Sequence, residues 1–150
     1  MKHFIILLTL VLVFVNTKAQ LSEDSVKVTI NAFFETMNNA DSAAASNIFS
    51  STAILQTISE HPQKGVSVQN QSVANFTGSL NKVKKGMLDE RIVFSDIKID
   101  GPLAFVWTPY QFYYNGQFSH CGVNSFQLVR FADGWKIQYV IDTRRKDYCN

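Results

Sequence analysis

Charge is scarce in this sequence, and what there is cancels. Of 150 residues only 17% are Asp, Glu, Lys or Arg, 14 basic against 12 acidic. Setting aside Lys2 and Lys18, near the start, leaves 14 − 2 = 12 basic residues against 12 acidic ones. A neutral domain has no electrostatic footprint for a phosphate backbone, so nucleic acid is not expected as a partner. The clusters Lys82, Lys84, Lys85 and Arg144, Arg145, Lys146 are each three residues long and read as a solvated helix end and a terminal rim. With 7 Gly and 3 Pro the chain is neither collagen-like nor a disordered tail. No glycine-rich phosphate loop occurs, and no cofactor is expected. His61, His120, Cys121 and Cys149 share no close ligand spacing, so no metal site is expected. His120 and Cys121 are neighbours, which on a regular strand puts them on opposite faces and disqualifies them as a nucleophile and its base.

A run long enough to span a bilayer is also missing. The longest apolar stretch, Phe4 to Val15, has 12 residues, against the roughly 20 a spanning helix needs. It follows the basic start Met1-Lys2-His3 and precedes Thr17 and Ala19, small residues three and one before a cut after Ala19. That is the pattern of a secretory signal over residues 1–19, with cleavage after Gln20 the close alternative. The expectation is a secreted or periplasmic domain over residues 20–150, with no membrane association once the signal is removed.

What the chain has in quantity is aromatic side chains: 12 Phe, 5 Tyr and 2 Trp. They can fill a sizeable core and leave surface for a pocket or an interface. Val26, Ile30, Phe33, Phe34 and Met37 recur at helical spacing between Ser22 and Asn38. Asp41 is a good N-cap for a second helix running through Ala43, Ala44 and Ala45 to Phe49. Thr52 to Ser59 reads as a strand, His61 to Gly65 as a loop, and Val73, Phe76, Leu80 and Val83 as a third helix ending near Gly86. Beyond Gly86 the period changes, and Asp100-Gly101, Asn115-Gly116 and Asp133-Gly134 are hairpin signals. They divide the second half into strands at about 90–99, 103–114, 117–131 and 135–143, an antiparallel meander. The class is α+β, with a curved sheet half-wrapped around three helices and a cavity between them.

Several stretches then take on a family likeness. Ile30-Asn31-Ala32-Phe33-Phe34 with Asn38-Asn39-Ala40-Asp41, and Phe126-Gln127-Leu128-Val129-Arg130-Phe131 with Gly134-Trp135-Lys136-Ile137, resemble the nuclear transport factor 2-like superfamily. Ketosteroid isomerase and the SnoaL-like cyclases share that cone-shaped fold. Trp107-Thr108-Pro109-Tyr110, Ser119-His120-Cys121-Gly122-Val123-Asn124 and Asp142-Thr143-Arg144-Arg145 look more like its exported lumazine-binding branch, a label resting on similarity. The resemblance implies the cone fold, a small-molecule cavity, and an outer sheet face on which a second copy could pack as a homodimer. It does not imply isomerase chemistry. That enzyme uses a Tyr, a protonated Asp and an Asp base, where this chain offers Phe33, Asn124 and Thr57 or a near neighbour.

Strand alternation selects the site candidates. If Phe126 and Leu128 face the helices, so do Asn124, Gly122 and His120. His120 titrates near neutrality when unperturbed and could bind a polar ligand or move a proton. Trp107, Tyr110, Phe112 and Tyr114 offer stacking surface on the neighbouring strand, suited to a flat heteroaromatic molecule. Asp142 and Arg144 could serve as an acid and an anion clamp at the rim, or as an ordinary exposed ion pair. The expected ligand site is therefore Trp107, Tyr110, His120, Asn124 and Arg144, with His120 and Asp142 as candidate catalytic groups. Three readings follow: a domain binding a small organic molecule, an isomerase, dehydratase or hydrolase using His120 as general acid or base, and a non-catalytic dimerisation module. Cys121 and Cys149 would both reach an oxidising compartment, where they either bridge or leave Cys121 packed and the terminal thiol free.

Overall fold

The computed structural model describes residues 22–61 and 63–149. The secretory signal expected over residues 1–19 lies outside them. Helix α1 spans residues 22–39 and buries the stripe read from the sequence: Val26, Ile30, Phe33, Phe34 and Met37 are all in the core. It stops at Ala40, which takes a left-handed φ of 56°, while the Asp41 amide donates to the Thr36 carbonyl. Asp41 then caps α2 (Ser42–Ile48), its carboxylate accepting from the Ala44 amide at 2.9 Å. α3 (Val73–Leu80) is capped by Ser72 and ends at Leu80, short of the expected Gly86. The intervening turns are held by the Gly86 amide, which donates to the Asn38 carbonyl of α1 at 2.7 Å.

Seven strands form one curved sheet, ordered β2-β1-β7-β6-β5-β3, with β4 also on β5. β1 (Phe49–His61) starts directly after α2 and is longer than expected. It turns back into β2 (Gly65–Gln71), a strand absent from the sequence reading because all seven of its residues are exposed and no buried face marks them. The single strand expected near 90–99 is two, β3 (Leu88–Ile92) and β4 (Asp96–Asp100). Both pair with β5 (Leu103–Tyr114), β4 with its first half and β3 with its second. The break falls opposite Pro109, whose carbonyl accepts from the Val93 amide. β6 (Gln117–Phe131) and β7 (Gly134–Thr143) complete the antiparallel part. β1 joins β7 in parallel, the one parallel pair among the described strands.

The helices pack on the concave face. Phe126, Leu128, Ala104 and Val106 point inward, and each is 0% exposed. Phe33 meets Phe34, Phe49 and Phe126 edge-on with ring centroids 5.0, 5.6 and 5.9 Å apart. Such offset contacts add about 0.5 to 1.5 kcal/mol each beyond the area they bury. This cluster fills the interior toward α2; toward the end of the sheet where β3, β6 and β7 carry polar side chains, the packing gives way to a cavity.

Candidate functional site

Register aligns the cavity's polar groups before any side chain is considered. Asn124 on β6 lies opposite Asp142 on β7, and Asp142 beside Thr57 on β1, while Thr108 on β5, fully buried and outside the cavity lining, continues the row beyond Asn124. One polar row therefore crosses four strands. A second row, Glu90, Phe112 and His120, crosses β3, β5 and β6. Between them Tyr110 faces Gly122. A Cβ on residue 122 would stand 2.9 Å from Tyr110 Cε1 and collide with the Thr143 carbonyl. Because the residue is Gly, the Tyr110 ring lies across β6 and its hydroxyl donates to the Thr143 carbonyl at 2.9 Å.

Asp142 anchors the first row. Its Oδ1 accepts from the Thr57 hydroxyl at 2.6 Å, and its Oδ2 from Arg144 Nε at 2.8 Å and the Tyr110 hydroxyl at 3.4 Å. Arg144 also reaches Thr57 Oγ1 with Nη2 at 3.2 Å. Burial and the facing Asp142 and Glu90 charges push the Tyr110 phenol up, so it stays protonated.

Glu90 is the group sequence reasoning missed. It is half-buried between the cavity and a groove on the helix side, and its carboxyl accepts one hydrogen bond, from Asn124 Nδ2 at 2.8 Å. Burial lifts its pKa from the ordinary 4.5 to about 7; the Asn124 amide and, more weakly, Arg144 oppose the rise, and Asp142 adds to it. Leu88, Glu90 and Ile92 alternate onto one face, so an acid stands between two apolar neighbours there. That alternation was the available signal, and it is lost when the strand is taken to begin at residue 90.

His120 lines the cavity between Phe112 and Tyr110, ring centroids 5.0 and 5.8 Å away. Burial first, then Arg144, lowers its pKa, which keeps the imidazole neutral near pH 7. Its Nδ1 lies 3.1 Å from the Ser119 hydroxyl.

The cavity measures about 210 Å³, smaller than sites that hold drug-sized ligands. Phe33, Met37, Leu55, Phe76, Phe112 and Val140 form its apolar wall, and exposed Gln71 and Arg144 stand at the rim. Of the sequence candidates, Tyr110, His120, Asn124, Asp142 and Arg144 come together here. Trp107 does not. It has the strand parity of Leu103 and Phe105 rather than that of Val106, Thr108 and Tyr110, lies on the outer face 40% exposed, and stacks near Phe105 at 6.2 Å. Tyr114 is likewise exposed at the end of β5 and outside the lining.

Of the two readings open for the cysteines, the bridge is the one found: Cys121 and Cys149 are disulfide-bonded, with Cα atoms 5.7 Å apart. Cys121 also exchanges both backbone hydrogen bonds with Arg145, at 2.9 Å each. Bond and bridge pin the segment after β7 to β6, which fixes Arg144 at the cavity mouth. No group of three or more His, Cys, Asp or Glu residues able to hold a metal occurs among the described residues. Nor, among them, is any helix long and apolar enough to cross a membrane.

No protein-family model matches the chain, and no curated protein matches it. Solved structures do. A nuclear transport factor 2-like protein of unknown function from Silicibacter pomeroyi superposes with a TM-score of 0.66 at 13% identity, covering 85% of this chain and 98% of that one. A domain of unknown function with a cystatin-like fold from Nostoc punctiforme gives 0.66 at 14% identity, over 85% of this chain and 80% of that one. A nuclear transport factor 2-like protein with a cystatin-like fold from Novosphingobium aromaticivorans gives 0.65 at 9% identity, over 90% and 89%. Identities this low carry the fold and nothing of its chemistry.

Proposed function

We propose that this domain, with its nuclear transport factor 2-like fold, binds a small organic molecule, mostly apolar with one polar end, and does so outside the cytoplasm. The observation that carries the reading is the two-sided cavity. Aromatic and aliphatic side chains line one wall, while Asn124, Glu90, His120 and Asp142 converge from three strands on the other. A well-formed apolar pocket with a few convergent polar groups is the common form of a ligand site. A flat heteroaromatic body suits the wall of Phe33, Phe76 and Phe112. The apolar start of the sequence and the Cys121–Cys149 bond support an exported protein, since such bonds persist in oxidising compartments.

The test is to incubate the purified domain with a metabolite extract and identify what stays bound by native mass spectrometry. One ligand per chain is expected, weakened by about 1 to 3 kcal/mol in His120→Ala and in Asn124→Ala if each makes a buried hydrogen bond. An extract from which the folded protein retains nothing overturns the reading. The enzyme reading is favoured by one observation, a neutral His120 lining the same cavity as the Glu90 and Asp142 carboxyls; recovery of the ligand chemically altered would decide for it.

A further inference from the structure

The cavity holds more acids than bases. Two carboxylic acids line it, Glu90 and Asp142, and one guanidinium, Arg144. Asp142 takes that cation for itself, in a 2.8 Å ion pair reinforced by Thr57. Glu90 is left with a neutral partner. Asn124 supplies the single hydrogen bond, to Oε1; among the described residues no basic side chain pairs with Glu90, and Oε2 accepts no hydrogen bond.

Among the described residues Arg144 is the only cation that acts on Glu90; Lys146 is felt by His120 but not by Glu90. From β5 the facing titratable group is Tyr110, from β6 His120, from β7 Asp142, and from the following segment Arg144. On the helix side Glu35 of α1 shares a surface groove with Glu90, and on β3 itself Asp89 is occupied with Arg91 at 2.9 Å. Each of these is acidic, neutral or already engaged. A carboxylate this withdrawn and without a counter-charge is costly, and its pKa rises to about 7, so that the acid form persists well above the ordinary range.

Resting on the small-molecule reading above, we infer that the ligand brings the missing charge: the cavity is a site for a small organic cation, a primary ammonium or protonated nitrogen heterocycle, whose N–H donates to Glu90 Oε2. Its apolar body lies against Phe33, Phe76 and Phe112, whose ring faces also favour a nearby positive charge. A cavity of about 210 Å³, the liquid volume of about seven waters, admits one ring with a short arm. An organic anion would meet Glu90 and Asp142 with Arg144 already committed to Asp142. Where Glu90 is protonated, binding displaces that proton: the Glu90 O–H bond breaks, the proton leaves to buffer, and the ammonium N–H takes its place on the carboxylate.

Three probes of one shape test this on the wild-type protein: benzylamine, protonated at neutral pH, benzyl alcohol as its neutral counterpart, and benzoate as the anion. Calorimetry at pH 7, repeated in two buffers of different ionisation enthalpy, reads affinity and protons together. Benzylamine is expected to bind at least about tenfold more tightly than benzyl alcohol, releasing about half a proton, and benzoate not at all. In Glu90→Gln, which keeps shape and an acceptor for Asn124, the first two probes should bind alike and no proton should be released. Equal binding of benzylamine and benzyl alcohol to the wild type overturns the cation and leaves the small-molecule reading standing. Binding by none of the three at millimolar concentration also overturns it, while the extract experiment decides the broader reading independently. Tight binding of benzylamine without proton release moves the cation away from Glu90 and overturns the assignment.

Discussion

Replacing Glu90 by Gln should change how stability depends on pH, in a direction that can be worked out in advance. An acid whose pKa is raised by folding stabilises the folded state while both states are protonated. It loses that contribution as the unfolded chain ionises and the folded one does not. For Glu90 the loss starts above the ordinary 4.5 and is complete above the folded value of about 7. Between those limits the slope is about −1.4 kcal/mol per pH unit, so the wild type should lose about 3 kcal/mol that the Gln variant keeps. Urea denaturation of both proteins at half-unit steps from pH 4 to 8.5, with the disulfide intact, isolates the effect. Groups not coupled to Glu90, His120 among them, are common to both and cancel in the difference. The variant should be close to the wild type at pH 4 and about 3 kcal/mol more stable relative to it at pH 8. Parallel profiles would show that the carboxyl is solvated in the folded state and would refute the burial argument. A difference growing toward low pH would mean that Glu90 is held ionised by a cation.

Two further outcomes follow from geometry alone. Cys149→Ser opens a loop of 28 residues and should cost about 3 to 4 kcal/mol on the chain-entropy account; thiol counting on unfolded, unreduced wild type should find none reactive. Gly122→Ala drives a methyl into the Thr143 carbonyl and the Tyr110 ring and should destabilise by about 1 to 3 kcal/mol, read as a lowered urea midpoint; a midpoint equal to wild type would show that β6 and β7 separate there at no cost.

What could be read in the sequence was whatever local chemistry writes there. Asp41 was legible as a cap because a side-chain acceptor before a run of alanines is enough to start a helix. His120 and Asn124 were legible as cavity residues because Phe126 and Leu128 fix the parity of β6. The same parity, applied to β5, separates Trp107 from Tyr110; stacking surface was a poorer guide than alternation. Glu90 stayed hidden behind a strand boundary misplaced by two residues, since Leu88 is what shows the acid to be inward-facing. β2 had only Val66 and Val68 on one face to announce it, both exposed, and it is held to β1 by backbone pairing and by polar contacts such as Gln56 with Asn70. The placement of β1 beside β7 has no local signal at all, because partners such as Thr57 and Asp142 stand 85 residues apart.

That last pairing governs the order in which the molecule can assemble. β7 is the final strand of the described chain, yet it lies inside the sheet, between β1 and β6. Until it is synthesised and in place, the β1–β2 hairpin and the β3–β6 meander have no edge in common, and Asp142 and Arg144 cannot close the cavity. Joining them means closing a loop of more than half the chain, so the folding rate is set by a non-local step and belongs with the millisecond-to-second range of sheet-rich domains rather than the faster range of helical ones. The Cys121–Cys149 bond forms most readily after that step, once the segment following β7 is laid against β6. A ribosome-bound chain lacking β7 would carry two incomplete sheets with unpaired edges, the state in which such a protein depends on being kept apart from its neighbours.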